Sequence, residues 1–409
     1  MITILKKNIK DQKSKKLSRR DFSKLVLGAG LTASGSVSIA DELLNFNWLP
    51  NSLTNTLDKS EDGTLICSSQ GSDTTGVSFE CINPIKNITI PVNFRGHGLN
   101  QHPTKKQFIV MMARRPGTLG IVLNMTNGEL ENTFFSQTDH HMHGHACYSA
   151  DGLFLYTTES NFKTGEGFIV VRETRHYQIV SAFSSGGIGP HELAFMPDNK
   201  TLVVANGGLL THPDSDRKIL NLKSMKSNLS YIDTTSGELI NSFSLKHPII
   251  DFSKASIRHL DVAENGTVAI ALQVQRSAME HKQLVPLAIL HKPGKPLAIL
   301  NAPEQLIRKL NDYMGSVKIN LKNKIAAFTS PKGDIAMFWD TDSLAFKDFH
   351  IFHDVCGLST SNNQEYFIIS NSSGKIRYID SKTLQEDKDK RLNYPGKNWD
   401  NHLLSATRT

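Results

Sequence analysis

Short apolar runs separated by acidic, asparagine and glycine turns make up most of the chain. "LFLYTT" from Leu153, "TLVVAN" from Thr201, "TVAIALQV" from Thr267, "KIAAFTS" from Lys324 and "EYFIIS" from Glu365 are bounded by Asp-Gly, Asn-Gly or Pro-Asp steps. β-branched runs of this length at this spacing predict an all-β protein. Only "APEQLIRKLNDYM", from Ala302, has the spacing of a short helix.

The pattern also recurs. "GHACYSADGLFLYTT" from Gly144, "PHELAFMPDNKTLVV" from Pro190 and "RHLDVAENGTVAIAL" from Arg258 share one order: a histidine, a short strand, a turn and a second apolar strand. "VCGLSTSNNQEYFII" from Val355 aligns with the Pro190 segment and puts Cys356 in the histidine place. "YMGSVKINLKNKIAAF" puts Met314 there, "RGHGLNQHPTKKQFIVM" supplies His97, and "WDNHLLSAT" supplies His402. Seven units result, marked by His97, His145, His191, His259, Met314, Cys356 and His402, at intervals of 48, 46, 68, 55, 42 and 46 residues. Intervals near the length of a four-stranded blade predict a seven-bladed β-propeller of the WD40/YVTN-like kind. The long interval is one polar loop, "GGLLTHPDSDRKILNLKSM". The last unit ends after one strand, so the C-terminal strand is expected to complete a blade begun by the hairpin of residues 64–81, removing the open edge.

The N-terminus departs from this pattern. Ser18-Arg19-Arg20-Asp21-Phe22, then Lys24, a weakly apolar run and the small residues Ser38-Ile39-Ala40, reads as a twin-arginine export signal over residues 1–40. Residues 41–60 read as a linker and 61–409 as the propeller. Residues 1–40 carry nine Lys/Arg and two Asp/Glu, which accounts for the net +7 of the whole chain. The remainder is close to neutral, so neither nucleic acid nor an anionic membrane surface is indicated as a partner. No apolar run reaches the roughly 18–20 residues that span a bilayer. A periplasmic monomer is expected. That compartment permits disulfides, and Cys67 and Cys81 face each other across the first hairpin.

In a propeller each innermost strand lines the central channel, so a residue repeated at one point of those strands projects into a common ring. Imidazole, thioether and thiolate suit iron, copper or zinc. The candidate metal ligands are therefore His97, His145, His191, His259 and His402, with Met314 and Cys356 as weaker members. "DHHMHGH", from Asp139, supplies His145; His140, His141 and His143 before it are read as a loop at the channel mouth, with His141 and His143 as outer candidates. The alternative is that ring histidines only stitch blades together through hydrogen bonds. Arg95 and Arg258 just before ring histidines, Glu192 just after one, and Asn206, His212, Asp214 and Arg217 of the long loop are read as converging on the same face. There the arginines would hold a carboxylate or other small anion. An enzyme, either a propeller oxidoreductase or a lactonase-type hydrolase, would need an acid or base near the metal, for which Glu192 and His212 are the candidates. A non-catalytic interaction scaffold is the third reading. Nucleophile elbows, phosphate loops, haem-attachment motifs and zinc-protease helices are absent from the sequence.

"GHACYSADGLFLYTTE", "GPHELAFMPDNKTLVVANGG", "THPDSDRKILNL", "SIRHL", "DVCGLS" and "WDNHL" together resemble the domain-of-unknown-function family 1513. The resemblance implies a twin-arginine-exported periplasmic propeller of unassigned biochemistry. It also implies a part in iron or other metal uptake beside imelysin-type and dihaem-peroxidase-like proteins. It carries over onto His97, His145, His191, His259, His402, Arg95, Arg258, Asn206, His212, Asp214 and Arg217. One departure is that an Arg-His-aromatic-aromatic run of the family pattern is replaced here by His140-His141-Met142-His143.

Overall fold

Seven four-stranded antiparallel sheets build the protein, arranged around a channel. The computed structural model describes residues 63–407 except 73–75, 83–86, 216 and 282; the expected export signal lies outside the described residues. The innermost strands are Gly96–Gln101, His140–Tyr148, Pro190–Phe195, Ala255–Val262, Ser316–Asn320, Val355–Thr360 and Leu404–Thr407. We number the blades one to seven in that order. Each inner strand packs on the next, and the seventh packs on the first. The described residues belong to one compact unit, Leu57–Thr409.

Closure follows the expected scheme. Leu404–Thr407 pairs antiparallel with Thr64–Ser72, register Leu65↔Ala406, and two further strands, Gly76–Ile82 and Ile88–Val92, complete blade seven. Chain-end strands thus satisfy each other's backbone groups. Cys67 and Cys81 are register partners in this blade and form a disulfide.

Burial decays outwards in each blade. The second strands, such as Thr201–Asn206 and Ile325–Ser330, are buried on both faces between neighbouring blades, which explains their unbroken apolar runs. Outer strands such as Ile179–Ser184 and Leu239–Ser244 are almost wholly exposed. The one α-helix among the described residues, Glu304–Lys309, falls inside the predicted segment and joins blades four and five. The long polar loop joins the second and third strands of blade three, so it adds length without adding a blade.

One local expectation is corrected. His140, His141 and His143 do not form a loop at the channel mouth; they lie in the inner strand of blade two, whose nine residues are all buried. The strand carries a bulge between Met142 and Ala146, with Gly144 at φ +95°. A bulge inserts residues without ending the strand, so a polar, glycine-containing segment that resembles a loop stays extended.

Candidate functional site

The repeated position does form a ring. His97, His145, His191 and His259 are buried and His402 is half-buried, and neighbouring ring centroids are 4.4 Å apart for His97–His402 and 4.7 Å for His97–His145, His145–His191, His191–His259 and His259–His402. Such close approach depends on two glycines. A Cβ on Gly144 would lie 2.7 Å from His97 Cδ2, and one on Gly98 would lie 2.6 Å from the Gly144 carbonyl oxygen.

Hydrogen bonding separates the two readings of these histidines. Hydroxyls tie the ring's main chain within and between blades: Thr158 of blade two donates to the carbonyls of His145 in its own blade (3.3 Å) and of His191 in blade three (3.0 Å), and Ser68 of blade seven to that of His402 (2.7 Å). The imidazoles are left over. His97 Nδ1, His145 Nε2, both nitrogens of His191 and His402 Nε2 are buried without a hydrogen-bond partner among the described residues. His141 shows the opposite case, with Nδ1 3.3 Å from Met142 O and Nε2 3.3 Å from Thr211 O. An unsatisfied buried polar atom costs about 1–3 kcal/mol.

Protonation state and orientation suit coordination. Burial, reinforced by the neighbouring imidazoles and arginines, holds all five ring histidines well below the ordinary imidazole range, so they are neutral with a free lone pair. Glu192 reaches between two of them: its Oε2 lies 3.0 Å from His259 Nδ1 and accepts the Leu260 N–H at 3.0 Å, while Oε1 lies 3.5 Å from His145 Nδ1. A carboxylate on one ring nitrogen fixes the tautomer that presents the other nitrogen to a metal. Three groups bring their ligand atoms within 4.8 Å of one another: His97, His191 and His259; His97, His145 and His402; His145, Glu192 and His259.

The remaining ring members differ. Met314 is buried in the apolar cluster of blades four and five, with Leu272 and Leu310. Cys356 turns its thiol towards the carbonyls of Asp400 and Trp399, at 3.5 and 3.6 Å, and burial pushes its pKa far up, so it stays a neutral thiol. Cys356 belongs to no metal-ligand group of His, Cys, Asp and Glu among the described residues. His143 bonds Ser160 Oγ at 2.8 Å through Nε2 and keeps Nδ1 unpartnered.

The ring divides the channel into two chambers, of about 390 and 370 Å³, whose linings share only His259. Inner strands all run the same way, so residues before the ring position face one mouth and residues after it face the other. Arg95, Arg258, Tyr313, Asp354 and Asn401 line the first chamber, joined by Arg114, Arg115, Arg217 and Lys332 from turns that return to that mouth. Asn100, Glu192, Asp261 and Lys318 line the second, where Lys318 and Asp261 form a 2.6 Å ion pair. The arginines and Glu192 therefore sit on opposite sides of the ring rather than on one face. Of the loop residues, Arg217 reaches the first chamber. His212 packs on Phe162 and accepts the Asp214 N–H at 3.1 Å, and neither lines a chamber. Asn206 donates to Ser185 O and Ser230 Oγ, at 2.9 and 3.0 Å, and ties strands together. Arg114 and Arg115 were missed from the sequence because they follow the second strand of blade one, 17 and 18 residues after His97.

Comparison with known proteins agrees with this architecture. No curated protein matches the chain. Among solved structures, Kuenenia stuttgartiensis hydrazine synthase is similar in fold, with a TM-score of 0.55 at 13% identity over 85% of this chain and 99% of that chain. The model of the family described as "Protein of unknown function (DUF1513)" matches residues 90–406. The chain belongs to that family.

Proposed function

We propose that this propeller binds one first-row transition-metal ion, of iron, copper or zinc, at its ring of five histidines. In this reading it is exported by its twin-arginine segment and serves metal uptake in the periplasm, alongside imelysin-type or dihaem-peroxidase-like partners. One observation carries the proposal: a ring of five neutral imidazoles, four of which leave nitrogens without a hydrogen-bond partner among the described residues, with ligand atoms that converge within 4.8 Å. With Cys356 held as a thiol, the donor set is imidazole nitrogen with a carboxylate behind it, which suits a borderline divalent ion. Glu192 positions His145 and His259.

The proposal is tested on chelator-stripped protein titrated with Fe²⁺, Cu²⁺ and Zn²⁺, beside His145→Ala/His191→Ala/His259→Ala. One ion per chain, lost in a variant whose circular dichroism is unchanged, is the expected result. Equal binding by the parent and the variant would show that the ring is not the site.

A further inference from the structure

Beyond the ring histidines at its inner end, the chamber on the arginine side is lined mainly by cations, and we propose that it is a binding site for a small multivalent oxyanion of tricarboxylate size. Six cationic side chains line it: Arg95, Arg114, Arg115, Arg217, Arg258 and Lys332, with Asp354 the one acid among the described lining residues. Asp400, behind the wall, is committed to Arg95 through bonds of 2.6 and 3.1 Å. Asp400 Oδ1 also lies 3.8 Å from Arg114 Nη1, whereas no ion pair holds Arg115, Arg217 or Arg258 among the described residues. Arg258, 8% exposed, leaves Nε without a hydrogen-bond partner among the described residues. Arg115 is buried beside it.

Buried guanidiniums are retained where a planar oxyanion pairs with them, because their donor forks match carboxylate oxygens two at a time. The volume sets the size class. About 390 Å³, at roughly 30 Å³ per water, holds about a dozen waters, comparable with a tricarboxylate and more than one orthophosphate fills. Several cations on different walls also favour a ligand with several separated carboxylates over a monovalent anion. His97, His191 and His259 close the inner end, so the bound anion would face three ring imidazoles. The anion site does not depend on a metal in the ring, and metal-free protein therefore tests it separately.

Isothermal titration of chelator-stripped protein with citrate, orthophosphate and acetate at constant ionic strength provides that test. The expected result is one citrate per chain, held at least tenfold more tightly than phosphate or acetate. Arg258→Gln is expected to weaken it roughly ten- to a hundredfold, the effect of one buried charge-assisted bond. Arg217 is exposed, so Arg217→Gln checks the same chamber without risk to the core, with a weakening of several-fold. Lys324→Gln, which removes a remote surface charge paired with Asp342, leaves citrate binding unchanged. Equal weak binding of all three anions, tighter binding of phosphate than citrate, or citrate binding indifferent to both arginine variants would each overturn the assignment.

Discussion

Glu192 is the residue on which the ring's chemistry turns, because one carboxylate addresses two imidazoles and a backbone N–H. Glu192→Gln preserves its shape and removes the charge that orients His145 and His259. Metal affinity is expected to fall roughly ten- to a hundredfold with folding intact, as measured by competition against a chelator; an unaltered affinity would reduce Glu192 to a blade tie. The ring itself was legible in the sequence because a residue repeated once per blade must recur around the channel. The sides of the ring were harder to read. Arg258 and Glu192 are each next to a ring histidine in sequence, yet strand direction sends them to opposite chambers. Arg114 and Arg115 carry no motif, and only the return of a turn to the same mouth brings them in.

Blade two shows how an element can disguise itself. Four histidines and a glycine resemble a loop, but every residue of His140–Tyr148 is buried, and the bulge at Gly144 lets the strand pass close to His97. Gly144→Ala would place a side chain against the His97 ring at a left-handed φ. A loss of about 1–3 kcal/mol in denaturant unfolding, with weakened metal binding, is expected; a fully stable variant would show that the close approach is not required. The same blade contains Arg172, fully buried, with Nη2 2.9 Å from Glu159 Oε1 and 2.6 Å from Phe135 O, and Nη1 2.9 Å from Thr157 Oγ1. Arg172→Met would leave Glu159 buried without its charge partner, a loss of about 3–5 kcal/mol. Thermal unfolding measures it, and a shift of under a degree would mean that water already reaches the pair. Nothing in the sequence distinguished Arg172 from a surface arginine, since it follows the apolar run of its strand and precedes Glu173.

Across the whole molecule, ring closure and site are one arrangement. His402 stands two residues before the strand that closes blade seven, and Asp400 near it holds Arg95 of blade one. Truncation after Asn401 removes a ring imidazole and opens the edge of Thr64–Ser72. Loss of cooperative unfolding together with metal binding is expected, and a truncated chain that retained both would separate closure from the site. The blade count was legible because it depends only on the period and on the final half-unit. The division of the channel into an arginine chamber and a carboxylate chamber was not, since it needs the direction of every inner strand at once. The central claim, an ion held by ring histidines, is tested most directly by X-ray absorption at the metal edge of the purified full-length protein. The account predicts a first shell of nitrogen at roughly 2.0–2.2 Å with imidazole scattering behind it. A sulfur shell, a shell of oxygen alone, or no absorbing metal would contradict it.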